Sequence, residues 1–251
     1  MLLADLTWPA VKALDKNTPV VIPIAAVEQH GHHMPVSTDS MLLGEVVRRV
    51  EAAASSRVLI APLQWLGNSH HHLDYPGTMS ATPRLYLDLL HDLAENLIGP
   101  GFRRILFLNG HGGNIVPGRQ VVFELRQKYR QRTDLLLLFG CYWDFAKPYE
   151  EREGYVQREM GHACEWETSM MLRLAPHLVI GDVAKLQTVP FGEGLGAAYR
   201  GWITNDRTPT GHIGSPEFAT AEKGEHLFAS YSQGVLNYLK QVENWDGTTW
   251  A

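Results

Sequence analysis

Residues 105–130 read ILFLNGHGGNIVPGRQVVFELRQKYR. The run ILFLNG at 105–110 is a short apolar run, which suits a strand covered on both faces. Helical spacing runs over 115–130, and Asn109-Gly110-His111-Gly112-Gly113-Asn114 lies between the two. A buried strand that passes through glycines into a helix is the repeating piece of a parallel α/β sheet. The glycines permit tight turns and a close backbone approach to a ligand. The helix start could also hold an anion on its free N–H groups. No Gly-Lys-Ser/Thr follows and GxGxxG is not matched, so this is neither a Walker loop nor a dinucleotide fingerprint.

The same alternation extends in both directions. Apolar runs at 20–27, 58–63 and 135–140 read as further buried strands. Segments 40–54, 83–98 and 219–240 carry helical spacing, as does a stretch from near Glu165 to Pro176. Together they predict a layered α/β fold around a mostly parallel sheet. Residues 181–216 are rich in Gly, Pro and Thr and read mostly as loop, with room for a flap or a subunit contact. There is no repeat and no convincing linker, so residues 1–251 are read as one domain. A chain of 251 residues suffices for such a core without staples.

Composition excludes several classes. The formal net charge of -5 argues against a nucleic-acid partner. No run approaches the ~20 apolar residues of a membrane span, and the N-terminus lacks the pattern of a signal peptide. Two cysteines, Cys141 and Cys164, make neither a disulfide framework nor a thiolate zinc site. The expectation is a cytoplasmic protein acting on a small molecule.

Histidine is the exception. Twelve are present, and most fall in clusters: QHGHH at 29–33, SHHH at 69–72, GHGG at 110–113 and GHAC at 161–164. Ligands of open α/β sheets bind beyond the carboxyl ends of the strands, and three of these clusters follow predicted strands. Glu28 and His30, two apart, share a side of an extended stretch. Asp39 stands where it could cap a helix or bridge two metal ions. Carboxylate and imidazole together suit zinc, manganese or iron. Glu165 and Glu167, two apart on a helix, face different ways, so at most one reaches the centre. Cys164 beside His162 leaves a thiol nucleophile as an alternative.

At these residues the chain resembles the creatininase family of amidohydrolases, from about Val20 to about Leu174 and again at residues 220–224. Glu28-Gln29-His30-Gly31, Thr38-Asp39, Pro76-Gly77-Thr78, Asn109-Gly110-His111, Tyr142-Trp143-Asp144-Phe145 and Glu167-Thr168-Ser169 carry the resemblance. It implies a three-layer α/β/α sandwich, two divalent metals per subunit with zinc favoured over manganese or iron, and a homohexamer. It implies metal binding by Glu28, His30, Asp39 and His111, with Asp39 bridging, and a proton-shuttling role for His162. The reaction implied is metal-assisted hydrolysis of a carbonyl compound.

Two departures qualify the substrate. The enzyme that names the family has Tyr-Glu at Gly112-Gly113, and that Glu is a ligand there. A carboxylate from elsewhere must replace it, and Glu167 is preferred to Glu165. An aromatic lid and a Glu beside the catalytic His are also absent. In their place stand Arg158 and Glu159, which with His72 and Trp143 are the candidate substrate contacts. The expected substrate is therefore a small polar cyclic amide or formamide other than creatinine. An inosose or lactone hydrolase is the second reading, and a non-catalytic metal-binding assembly subunit the third.

Overall fold

The computed structural model describes residues 1–54, 57–192 and 197–247. Four strands form one parallel sheet: β1 (Val20–Ile24), β2 (Leu59–Ile60), β3 (Arg104–Asn109) and β4 (Leu136–Cys141), in the order β2-β1-β3-β4. Seven helices accompany them among the described residues: α1 (Trp8–Ala13), α2 (Thr38–Ala54), α3 (Pro83–Ile98), α4 (Ile115–Lys128), α5 (Pro148–Glu151), α6 (Glu165–Leu174) and α7 (Ala221–Asn244). The short α1 and α5 carry too few residues for a helical period to be legible in the sequence. The second strand is also shorter than its apolar run at 58–63. Only Leu59 and Ile60 pair in regular register with Val20 and Val21, and Gln64 then makes a single parallel bridge to Ile24.

Alternation along the strands builds a three-layer sandwich. Val20, Ile22, Ile24, Ile105 and Phe107 pack with Tyr86, Leu90 and Ala94 of α3 and Val121 and Leu125 of α4. Val21, Leu106 and Leu108 face the opposite way, onto Leu42, Val46 and Val50 of α2, Met170 and Met171 of α6 and Leu227, Tyr231 and Val235 of α7. Thr82 caps α3 by accepting from the Leu85 N–H, with Pro83 in the first turn.

Thr220 caps α7 by accepting from the Lys223 N–H. Gly224 lies against α6 so closely that a Cβ there would sit 2.0 Å from the Ser169 carbonyl oxygen. That approach brings the Lys223 ammonium 2.6 Å from the Glu165 carboxylate.

Strand order decides where a ligand can sit. The chain leaves β1 toward β2 on one side and β3 toward β4 on the other, so the switch point lies between β1 and β3. Ile24 is level with Asn109. The segments that follow, carrying Glu28 and His111, therefore emerge side by side.

A candidate metal centre at the sheet's switch point

Beyond these strand ends, five elements converge. The loop after β1 supplies Glu28, Gln29 and His30, and the first turn of α2 supplies Asp39. A turn at His70–His72 follows β2. His111 precedes α4, and His162 and Glu167 come from the start of α6 and the turn before it. Glu28, His30, Asp39, His72, His111 and Glu167 are all buried.

Asp39 does not cap its helix. Its Oδ1 lies 3.0 Å from His30 Nε2 and its Oδ2 3.1 Å from His111 Nδ1, so the carboxylate stands between two imidazoles. Glu28 Oε1 lies 3.3 Å from His72 Nε2 and 3.4 Å from His162 Nδ1, and its Oε2 lies 3.2 Å from His111 Nε2. Glu167 Oε1 is 3.7 Å from His30 Nε2. Four overlapping sets have ligand atoms within 4.8 Å of one another: Glu28–His30–Asp39, Glu28–His71–His111, Glu28–His72–His162 and His30–His162–Glu167.

The donors fit a divalent cation by a further criterion. Both Glu28 oxygens, Asp39 Oδ2 and Glu167 Oε2 are buried with no hydrogen-bond partner in the structure. Buried carboxylate oxygens are costly unless paired or metal-bound. His30 is oriented for ligation as well. Its Nδ1–H donates to the Glu28 carbonyl at 3.1 Å, which turns Nε2 toward Asp39 and Glu167. The mixed oxygen and nitrogen set suits zinc or manganese.

Without a cation, protons balance these carboxylates. Burial disfavours the charged form of His111, but Glu28 and Asp39 outweigh it and raise its pKa to about 10. Burial likewise opposes charge on His30, where Asp39 and Glu167 prevail and raise the pKa. Glu28 is held below the usual carboxylate range by His111 and His72, against its burial. A metal ion must displace the imidazole protons. Metal uptake at pH 7 is therefore expected to release about two protons per chain, and affinity should rise with pH towards 10. Potentiometric titration in weak buffer checks this; uptake with no proton release would mean that the imidazoles are not ligands.

His162 behaves differently. Its Nε2–H donates to the Gln29 carbonyl at 2.8 Å, leaving the Nδ1 lone pair toward Glu28. Burial and the neighbouring His30 and His72 lower its pKa well below the ordinary value, so it is neutral. Two backbone bonds with Ile213, at 2.9 and 2.7 Å, clamp the residue. Ala163, fully buried beside it, takes the left-handed φ of 48°, a strained backbone that its surroundings hold in place. Cys164 does not compete as a nucleophile, because burial pushes its thiol up to about 12.

Two groups of expected residues lie elsewhere. Glu165 is not a ligand here. Its Oε2 accepts from the Val156 and Gln157 N–H groups and its Oε1 from Lys223. Lys223→Ala is expected to destabilise the fold by about 3 kcal/mol by leaving that carboxylate buried and unpaired, with metal content unchanged, as chemical denaturation and metal analysis would show. Arg158 and Glu159, expected at the substrate, are exposed and absent from the cavity wall. Gln157 is the cause. It bonds to Glu165 N, Ser215 N and the Glu159 carbonyl, turning that segment outward. The Arg158 guanidinium lies over the Tyr149 ring.

The cluster floors a cavity of about 800 Å³. Trp143 and His72 line it, together with Phe191, Trp202, Ile203 and Arg207 from the Gly-, Pro- and Thr-rich region. Sequence reasoning passed over these last four, because a loop without periodicity gives no sign of the wall it lies against. It also missed the backbone carbonyls of Glu28 and Gln29 that fix the imidazoles. Asn109 holds the His111 backbone, accepting from its N–H and donating to its carbonyl.

A parallel sheet with a buried carboxylate–imidazole cluster at its switch point defines a metal-binding α/β enzyme site. The creatininase family profile, described as creatinine amidohydrolase, matches residues 4–239. The chain is 29% identical to a creatinine amidohydrolase of Pseudomonas putida, over 95% of this chain and 96% of that one. It is 29% identical to a mycofactocin precursor peptide peptidase of Mycolicibacterium smegmatis, over 88% and 84%. It is 25% identical to a 3-dehydro-scyllo-inosose hydrolase of Thermotoga maritima, over 89% and 76%. A variant creatininase complexed with creatine superposes with a TM-score of 0.78 at 27% identity, over 97% of this chain and 99% of that one. A Zn-Zn form gives 0.77 at 28%, over 96% and 97%, and a Mn form 0.76 at 27%, over the same shares. The chain belongs to the creatininase family. It is a metal-dependent hydrolase.

Proposed function

We propose that this hydrolase cleaves the C–N bond of a cyclic amide or formamide carried on a polar body larger than creatinine. The observation that carries this reading is the cavity of about 800 Å³ standing directly over Glu28, Asp39, His111 and Glu167. Its volume is towards the upper end of the ~300–1,000 Å³ common for ligand sites. The similarity to both an amidohydrolase and a peptide peptidase supports C–N chemistry.

Glu28, His30, Asp39, His111 and Glu167 would hold two divalent cations, zinc first and manganese or iron next. Bound there, the cations supply an activated water and polarise the scissile carbonyl. His162, neutral, accepts a proton at Nδ1 and returns it to the leaving nitrogen. The Gln29 carbonyl holds the imidazole through Nε2–H while this happens. Trp143, Phe191 and Trp202 wall the cavity with apolar surface and limit water.

The test is a panel of metal-loaded assays with creatinine, other cyclic amides, N-formyl compounds, short peptides, lactones and inososes. Release of amine or formate from a compound bulkier than creatinine supports the proposal, and creatinine as the best substrate contradicts it. Turnover confined to inososes or lactones would favour the second reading, for which the Thermotoga maritima relative speaks.

The proposal extends to a cytoplasmic homo-oligomer, a hexamer by resemblance. Trp8, Leu85, Val116 and Phe123 are exposed apolar side chains that an assembly would cover, and both cysteines are free. No helix among the described residues is long and apolar enough to cross a membrane.

A further inference from the structure

Gly113 is a glycine because its surroundings leave no space for a side chain. A Cβ there would lie 2.2 Å from the Asn68 carbonyl oxygen, 2.4 Å from His111 Nε2 and 2.8 Å from His71 Cε1. The third of these neighbours has no structural duty that explains it. The His71 ring is stacked on His111, with centroids 5.7 Å apart and planes 7° from parallel. It contacts His72 at 4.1 Å and Trp202 at 5.1 Å. Its backbone carbonyl accepts from Thr204. Yet its ring nitrogens have no hydrogen-bond partner among the described residues, although the ring lies in a polar cluster and the neighbouring His72 and His111 rings are both bonded.

We propose that His71 is a protein ligand of the metal held by Glu28 and His111. Glu28, His71 and His111 each offer a ligand atom, all within 4.8 Å of one another. Three aromatic contacts fix the imidazole in place before any metal arrives, so little ordering remains to be done on binding. A neutral imidazole also adds no further negative charge beside Glu28 and Asp39. The ligand class is a borderline divalent cation such as zinc or cobalt, which accepts nitrogen and oxygen together.

This inference rests on the metal-centre reading, so its test separates the two. Full-length wild type, His71→Phe, His71→Ala and His111→Ala would be stripped with chelator and titrated with Co²⁺, followed by calorimetry and visible absorption. His71→Phe keeps a ring against His111 and Trp202 but has no ligand nitrogen. It is expected to match the melting temperature of wild-type apoprotein, to weaken one Co²⁺ binding event at least ~10-fold, and to change the cobalt absorption intensity. Removing even an outer partner of a metal ligand costs ~10–100-fold. His71→Ala should weaken the same event. If His71→Phe binds Co²⁺ with wild-type affinity and spectrum while His111→Ala does not, His71 is only a stacking ring and the inference is overturned. If His111→Ala also binds as wild type, the metal-centre reading itself fails.

Discussion

Replacing His162 with alanine is expected to lower turnover about 10²–10⁴-fold, the usual contribution of a positioned proton carrier. The metal should stay. The structure gives His162 three properties that the proposed ligand histidines lack together. It is neutral although carboxylates are near, because burial and neighbouring imidazoles outweigh Glu28. Its Nε2–H is committed to the Gln29 carbonyl, so only Nδ1 can exchange a proton with substrate. It also forms part of the cavity wall. The measurement is kcat and metal content on the same preparation. Loss of turnover with full metal fits a proton carrier. Equal loss of both would make His162 a ligand, and unchanged turnover would remove it from the reaction.

Glu28→Gln should have the second large effect, weakening metal binding more than ~100-fold, beyond what loss of an outer partner costs. Glu28 belongs to three of the four ligand sets, and its oxygens face only the imidazoles of His72, His162 and His111, with no geometric hydrogen bond. The amide keeps the shape and removes the charge. It also removes the leading influence that raises the His111 pKa, so less proton release should accompany what metal still binds. Titration of stripped protein with Zn²⁺ reads both quantities. Wild-type affinity in Glu28→Gln would show that the carboxylate serves the fold alone.

Much of this was legible in the sequence because the physics is local. Continuous apolar runs predicted β1, β3 and β4 within a few residues, and the strand-Gly-His-Gly-Gly-helix passage placed His111 at a strand end. The spacing of Glu165 and Glu167 restricted the centre to one of them. The choice between them depended on Lys223, distant in sequence and brought near only by the close packing of Gly224 on α6. The error over Arg158 and Glu159 has the same origin. A charged pair beside a proposed catalytic histidine looks like a substrate contact until the Gln157 side chain is seen turning it to solvent. The cavity wall from residues 191–207 and the carbonyls that orient His30 and His162 were beyond reach, since neither a loop's path nor a backbone oxygen's direction is written in residue type.

The most direct test of the central claim is metal content by plasma mass spectrometry on protein purified without chelator or added metal, for wild type and Asp39→Ala. Asp39 stands between the His30 and His111 imidazoles, at 3.0 and 3.1 Å, so its loss should empty the centre. About two transition-metal ions per chain in wild type, absent from the mutant, is the predicted result. No metal in wild type, and none taken up on addition, would contradict a metal-dependent hydrolase.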